Sequence, residues 1–185
     1  MMTTVFISGS MRIKNLDENV RFRLKHIVDS GFDVIVGDAD GVDTSIQEFL
    51  LQHSYQNVTV YCTGGQPRNN VGRWAVKYIV SSASPGSRAF FTAKDLAMTQ
   101  DCDFGLMVWD TKSTGTLSNA VELLQLDKKS RVYVNKEKSF VKLTTVQDLE
   151  HLVTFMSDFA YKKADDKIKL RAKIEAIKHK SFELF

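Results

Sequence analysis

Short apolar runs alternate along the chain with longer stretches in which apolar residues recur at every third or fourth position. The short runs predict strands at Val5–Ile7, Val34–Val36, Val58–Tyr61, Phe104–Trp109 and Arg131–Asn135. The longer stretches predict helices between them, as from Leu16 to Val28 and from Leu117 to Leu124. Strands that are apolar at nearly every position and alternate with helices are typical of a mostly parallel sheet covered on both faces. The sequence therefore predicts an α/β fold.

The C-terminal part has a different pattern, because only helical spacing is found after Thr144. Its two apolar stripes are Leu149, Leu152, Val153 and Met156, and then Leu170, Ile174, Ile177 and Leu184. We expect residues 1–143 to form a ligand-binding domain and residues 144–185 to form a helical extension. Periodicity leaves open whether this extension packs on the domain or on a partner.

One long irregular segment, residues 62–86, is rich in Gly, Asn and Ser. We predict a loop that contains one short strand near Ala75–Val80. Long loops in compact domains are commonly functional. One hypothesis is a lid over a site, with Arg68 or Arg73 reaching a phosphate; the alternative is a structured surface excursion.

Sequence composition limits where in the cell the protein is expected and whether it contacts a membrane. The apolar run Val5–Ile7 is too short for the core of a signal peptide, and no stretch is long enough to span a membrane. Cys62 and Cys102 fit no metal or redox spacing, so we expect buried free thiols. Trp74 and Trp109 are expected in the core. We therefore expect a cytoplasmic protein with no membrane contact and no cofactor. We assign no metal site, and the sequence leaves open whether the acidic turn Gly37–Asp43 binds a divalent metal.

Charge is unevenly distributed, although the net charge is only +3. Residues 161–185 contain eight Lys or Arg and four Asp or Glu, which gives +4 for this segment and −1 for the first 160 residues. Contact with nucleic acid would account for such a basic tail, but at this charge density we favour a solvated helix face. The near-neutral body leads us to expect that nucleic acid is an unlikely partner.

Three predicted strand-to-helix loops carry polar groups. The first contributes Gly9, Ser10 and Arg12; the second contributes Gly37, Asp38, Asp40, Gly41 and Asp43; the third contributes Asp110, Lys112, Ser113, Thr114, Gly115 and Thr116. In an open parallel sheet such loops lie at one edge, where ligands bind. Glycines allow close backbone approach, and a helix N-terminus attracts anions. We expect Ser113 or Thr114 to cap a helix, either Asp40 or Asp43 to cap another, and at least one acid to face the ligand.

This ordered set of loops resembles the SLOG superfamily, which includes the Lonely Guy phosphoribohydrolases and the Rossmann-like part of the DNA-processing protein A family. The segment Gly37–Asp43 is similar to a glycine-rich "GGARGxD"-like turn, Lys94–Met98 to an "RKxxM" stretch, and Gly115-Thr116 to "PGGxGTxxE". The resemblance covers about Val5 to Val134. It implies a Rossmann-like three-layer sandwich with extra C-terminal helices, Lys94 and Asn119 at the ligand, and a homo-oligomer, most simply a dimer.

The glutamate that follows Gly-Thr in the hydrolases falls on Asn119 in this chain. Asparagine can hydrogen-bond a ribose hydroxyl but cannot act as a base. The sequence therefore favours binding of a small-molecule nucleotide, as in a sensor. The alternatives are a nucleotide N-glycosidase or phosphoribohydrolase and a DNA-binding protein related to the DNA-processing group. In an enzyme, the candidate carboxylates are Asp38, Asp40, Asp43 and Glu122.

Overall fold

The computed structural model describes residues 2–183. Within them the strands are β1 (Thr4–Gly9), β2 (Asp33–Gly37), β3 (Val58–Thr63), β4 (Ala75–Ile79), β5 (Phe104–Trp109), β6 (Lys129–Val134) and β7 (Ser139–Leu143). The helices are α1 (Glu18–Asp29), α2 (Val42–Gln52), α3 (Arg88–Asp101), α4 (Thr114–Gln125), α5 (Val146–Val153), α6 (Asp158–Ile168) and α7 (Leu170–Glu183). The predicted stripe residue Leu184 lies outside the described residues.

The strands form one seven-stranded sheet in the order β4-β3-β2-β1-β5-β6-β7. All neighbouring pairs are parallel except β6 and β7, which are antiparallel. The predicted α/β, Rossmann-like three-layer arrangement is thus confirmed. Strand β7 was not predicted, because it is an edge strand in which exposed Ser139 and Lys142 flank a half-buried pair of apolar residues.

Two apolar cores cover the two faces of the sheet. One contains buried side chains of α1 and α2 and the residues of β1, β2 and β3 that point towards these helices. The other contains buried side chains of α3 to α7, including Leu149 of α5, Leu170 of α7 and Leu123 of α4. The C-terminal helices therefore pack in the same core as α4.

The strand order reverses direction at β1, which lies between β2 and β5. In doubly wound sheets the crevice at such a switch point is where ligands bind. Gly9 at the end of β1 is paired with Val108 near the end of β5, so the loops that follow these strands begin side by side. The fold therefore brings the first and third predicted loops together at the carboxyl edge of the sheet.

The remaining core predictions are confirmed. Cys62 and Cys102 are buried free thiols. Trp74 and Trp109 are buried, and the indole N–H of Trp109 donates to the carbonyl of Ser113 at 3.0 Å.

Among residues 2–183, no helix has the length and apolar character needed to cross a membrane.

Gly9 provides a test of the packing at the switch point. A Cβ at this position would lie 2.5 Å from the carbonyl oxygen of Val108 and 2.7 Å from a Cγ of Val42. We expect Gly9→Ala to lower the free energy of unfolding by about 1–3 kcal/mol, because backbone and a buried side chain must both move. Urea unfolding followed by circular dichroism measures the loss. Gly65→Ala is the control, since a Cβ there meets nothing within 4 Å; equal losses in both variants would contradict the prediction.

Candidate functional site

A cavity of about 810 Å³ opens at the carboxyl edge of the sheet, between the loops after β1 and β5, helix α3 and the start of α6. Twelve of the sequence-predicted residues line it: Gly9, Ser10, Arg12, Asp43, Lys94, Asp110, Lys112, Ser113, Thr114, Gly115, Thr116 and Asn119. Five others do not: Gly37, Asp38, Asp40, Gly41 and Glu122. The fold thus gathers most of the predicted set around one space, with the second loop mainly behind it.

Asp110 shapes the third loop. Its Oδ1 accepts hydrogen bonds from the backbone N–H groups of Lys112 and Ser113 at 3.0 and 2.7 Å, and its Oδ2 accepts one from the Ser10 hydroxyl at 2.8 Å. Thr111, between Asp110 and Lys112, has φ 63°, which is rare for a β-branched residue. Through these three hydrogen bonds Asp110 joins the first and third loops at the edge of the cavity.

The N-terminus of α4 faces the cavity with free donors. Ser113 is the N-cap, as predicted, and its Oγ accepts from the Thr116 N–H at 3.4 Å. The backbone N–H groups of Thr114 and Gly115 have no acceptor within residues 2–183. Unsatisfied N–H groups at a helix start bind anions. This turn is therefore suited to a phosphate or carboxylate.

Sequence reasoning missed a second helix start at the cavity, that of α6. Ser157 caps α6 by accepting from the Ala160 N–H at 3.2 Å. Phe159 and Lys163 of the same helix also line the cavity, and Phe159 is 78% exposed. The helical period located this segment but gave no information on which edge of the sheet it would reach.

The cations around the cavity fall into two groups. Arg68 and Lys94 are paired with carboxylates. By contrast, Arg12, Lys112 and Lys163 form no ion pair with any carboxylate of the described chain, although all three line the cavity. Their charges are thus available to an anionic ligand.

Asp38 is used internally. It is buried, and it accepts hydrogen bonds from the backbone N, Nε and Nη2 of Arg68 at 3.0, 3.2 and 2.8 Å. Burial acts to raise the pKa of Asp38, but the Arg68 hydrogen bonds outweigh it and the pKa is lowered. The Arg68 guanidinium also lies 4.6 Å from the centroid of the Phe91 ring. Arg68 therefore closes one wall of the cavity by holding Asp38, and Arg73 does not line the cavity.

The acids of the second loop do not cap α2, so this part of the prediction is wrong. The N-cap is Gly41, with φ +79° and its α-carbon packed against the Met11 backbone. Asp40 accepts from the Asn69 amide at 3.0 Å, and Asp43 accepts from the Ala39 N–H at 3.2 Å. Close contact between the first two loops requires glycine at the cap position, which leaves no capping side chain.

Asp43 is the acid of this loop that reaches the cavity. It is buried, and its Oδ1 has no hydrogen-bond partner within the described residues. Burial raises the pKa of Asp43 to about 7, against the opposing charge of Lys94. Both side chains pass over Gly37, where a Cβ would lie 2.4 Å from Asp43 Oδ2 and 2.7 Å from Lys94 Nζ. Gly37 is thus needed for this close approach.

Lys94 is the buried counter-charge of the cluster, with 4% exposure. Its Nζ lies 2.8 Å from Asp95 Oδ1 and 3.9 Å from Asp38 Oδ1. Burial acts to lower the pKa of Lys94, but Asp95 and Asp43 outweigh it and the pKa is raised. Lys94 therefore stays charged and neutralises the acids beneath the cavity.

Two other predicted residues have structural partners. Asn119 lines the cavity and donates to the Ser8 hydroxyl at 3.3 Å. Glu122 forms an ion pair with Lys173 of α7.

No group of three or more His, Cys, Asp or Glu that could hold a metal ion occurs among residues 2–183.

Comparisons with known proteins identify the fold. No family model and no curated protein matches the chain. A solved structure of DNA processing protein A from Helicobacter pylori, described for its single-stranded DNA binding mode, matches with a TM-score of 0.53 and 20% identity. The match covers 70% of this chain and 64% of that one. At this identity it shows a shared fold.

This match corrects one expectation. A protein with the same fold binds single-stranded DNA, so the expectation that nucleic acid is an unlikely partner is wrong. It was drawn from the net charge of the first 160 residues, which averages buried, paired acids with unpaired cations. The local arrangement at the cavity is what bears on a partner.

Asp43 gives a prediction of pH dependence. Its folded-state pKa of about 7 lies above the ordinary 3.8, so its contribution to the free energy of unfolding falls as pH rises from about 4 to about 7. Asp43→Asn lacks this group. We therefore expect the melting temperature of the variant, relative to wild type, to be higher at about pH 8 than at about pH 5. Asp40→Asn, at an exposed acid of the same loop, is the control; a constant difference for Asp43→Asn would contradict the prediction.

Proposed function

We propose that the chain binds single-stranded nucleic acid and that the cavity holds one phosphate-bearing nucleotide unit of the strand. The observation that carries the proposal is the convergence of two helix N-termini, those of α4 and α6, with the unpaired cations Arg12, Lys112 and Lys163 on one cavity. Free N–H groups and unpaired cations are the groups that hold phosphate.

The aromatic residues at the cavity support a polymer rather than a bare anion. Both Phe159 and Phe91 line the cavity; Phe159 is exposed, and Phe91 is half-buried beside Arg68. Proteins that bind single strands combine a basic groove with aromatic rings on which bases stack. The single-stranded DNA binding of DNA processing protein A from Helicobacter pylori, which shares the fold, supports the same ligand class.

The SLOG resemblance also supports a nucleotide unit as the ligand, because Asp43, Lys94, Gly115 and Thr116, which belong to the motifs that carry it, line this cavity. A volume of about 810 Å³ is in the range of small-molecule sites. A free nucleotide is therefore the competing ligand, and it is the ligand expected of a sensor. Competition of mononucleotides against a labelled single strand separates the two, since a sensor would prefer the mononucleotide.

The cations are tested by Lys163→Ala with Lys162→Ala as the matched control. Both lysines are exposed on α6, but only Lys163 lines the cavity. We expect Lys163→Ala to weaken binding of a labelled oligonucleotide about tenfold, as for loss of a charge-assisted hydrogen bond. The slope of log K against log salt should become shallower by about 0.7. Fluorescence anisotropy measures both; equal effects in the two variants would refute the assignment.

The free N–H groups are tested separately by Gly115→Val. A side chain here meets no protein atom within 4 Å of its Cβ and projects at the start of α4. We expect an unchanged melting temperature and at least about a tenfold loss of oligonucleotide affinity, because the new side chain occupies the space beside the Thr114 and Gly115 N–H groups. Gly65→Val, at an open glycine away from the cavity, is the control. Full affinity in Gly115→Val would exclude this helix start as a phosphate site.

A second candidate function, cleavage of an N-glycosidic bond, is favoured by one observation. Of the four candidate acids, Asp43 lines the cavity with an unpartnered carboxylate oxygen and a pKa of about 7. A group with this pKa can give or take a proton near neutral pH. Mass spectrometry after incubation with nucleotides and oligonucleotides would detect released base. Release by wild type, lost in Asp43→Asn with binding retained, would establish this activity; no release would exclude it.

A further inference from the structure

The two faces of the sheet are covered unequally. Within residues 2–183, helices α1 and α2 cover one face, whereas the core on the other face draws on α3 to α7. The core with α1 and α2 also includes Leu106 and Val108 of β5 and Tyr133 of β6. A second cavity of about 300 Å³ opens on this face, between α1 and the starts of β1, β5 and β6.

This second cavity is at the opposite end of the strands from the candidate site. It is lined by Val5 at the start of β1, Phe104 at the start of β5 and Lys129 at the start of β6. None of its residues belongs to the three polar loops of the candidate site, and the function proposed above does not use it.

The charged side chains of this cavity are all cationic. They are Arg23 of α1, Lys129 and Arg131 of β6 and Lys142 of β7, with His26 beside them, and no Asp or Glu lines the space. None of the four Arg and Lys side chains forms an ion pair with a carboxylate of the described chain. Arg23 Nε is buried without a hydrogen-bond partner among these residues. We call these four side chains and Phe104 the basic sheet surface.

The register of the strands makes this arrangement costly for folding. Arg131 lies directly opposite Lys142 in the antiparallel pair of β6 and β7. Like charges at directly opposed positions destabilise a sheet. An acid at either position would form a favourable pair, so the clustered charge does not serve the stability of the isolated chain. A polyanion bound at the surface would remove the repulsion.

Two aromatic rings, those of Phe104 and Phe140, lie beside the cations of the basic sheet surface. Phe104 is 44% exposed and is paired in register with Lys129. The Arg23 guanidinium lies 5.8 Å from the centroid of Phe140. An exposed ring between cations offers a stacking surface for a base next to sites for the adjoining phosphates.

Charge complementarity selects among the possible occupants. A second copy bound about a two-fold axis would place this cationic patch against itself, because such interfaces use the same surface twice. The single exposed ring of Phe104 offers little apolar area for insertion into a membrane, but it is enough for one base to stack on. We propose that the basic sheet surface is a second binding site for single-stranded nucleic acid, on the opposite edge of the sheet from the cavity. This inference shares its ligand class with the proposed function but rests on separate residues.

The test is Lys142→Glu in the full chain, with Lys136→Glu as the matched control. Lys136 is an exposed lysine in the β6–β7 turn and does not line the cavity. Lys142→Glu places an acid opposite Arg131, so we expect the urea midpoint to be unchanged or higher. Affinity for a labelled single-stranded oligonucleotide, measured by fluorescence anisotropy, should fall about tenfold or more, with a shallower salt dependence. Lys136→Glu should have less than half of this effect on the logarithm of the affinity.

The outcomes separate this inference from the proposed function. Loss of affinity in Lys142→Glu with full affinity in Gly115→Val would support the basic sheet surface and contradict the cavity. The reverse result would overturn the basic sheet surface and leave the proposed function standing. Tighter binding of duplex than of single strand, or a change of sedimentation in Lys142→Glu without a change of affinity, would also overturn it. If wild type bound no oligonucleotide at low salt, both proposals would fail.

Discussion

The arrangement of the carboxyl edge depends on neutralising one buried lysine. An unpaired ammonium group in a protein interior costs several kcal/mol, and Lys94 is 4% exposed. Its charge is balanced by Asp95 on its own helix and by Asp38 and Asp43 after β2. A displacement of either element would separate Lys94 from Asp38 and Asp43 and would deprive the buried Asp43 of its nearby opposite charge. The cluster therefore fixes α3 relative to the second loop more than it adds stability.

The same cluster decides which charges remain for a ligand. Asp38 is held by three hydrogen bonds from Arg68, and Asp110 accepts three from the first and third loops. The acids near the cavity are thus mostly internal, while Arg12 and Lys112 at its rim have no carboxylate partner in the described chain. A loop that looks acidic in sequence consequently lies behind a site whose free charges are mainly cationic. Asp43 is the exception, and its burial is what makes it chemically distinct.

The sequence predicted the features that depend on local periodicity and on the rule that parallel strands end at one edge. Strand β5, the Ser113 cap and the buried thiols follow from such rules, and most of the first and third loops line the cavity as expected. Contacts between distant segments could not be predicted: Arg68 with Asp38, and the start of α6 at the cavity. The Gly41 cap was missed for the same reason, since it is set by contact with Met11. Strand β7 lacked a continuous apolar run because one side of it faces solvent.

The exposed positive charge on one face of the sheet comes from three residues: Lys129 and Arg131 at alternate positions of β6, and Lys142 of β7. Strand β6 buries Val132 and Val134 in the core with α4, and on its other face it carries Lys129 and Arg131, with Lys142 opposite. A further helix could cover these positions only by removing several unpaired charges from water, at a cost that its apolar contacts would not offset. The exposure of these charges is thus specified by the alternation of residues in the sequence itself. Under the proposal made above, a macromolecule that covers this surface brings negative charge with it, because an apolar partner would have to bury the same unpaired charges.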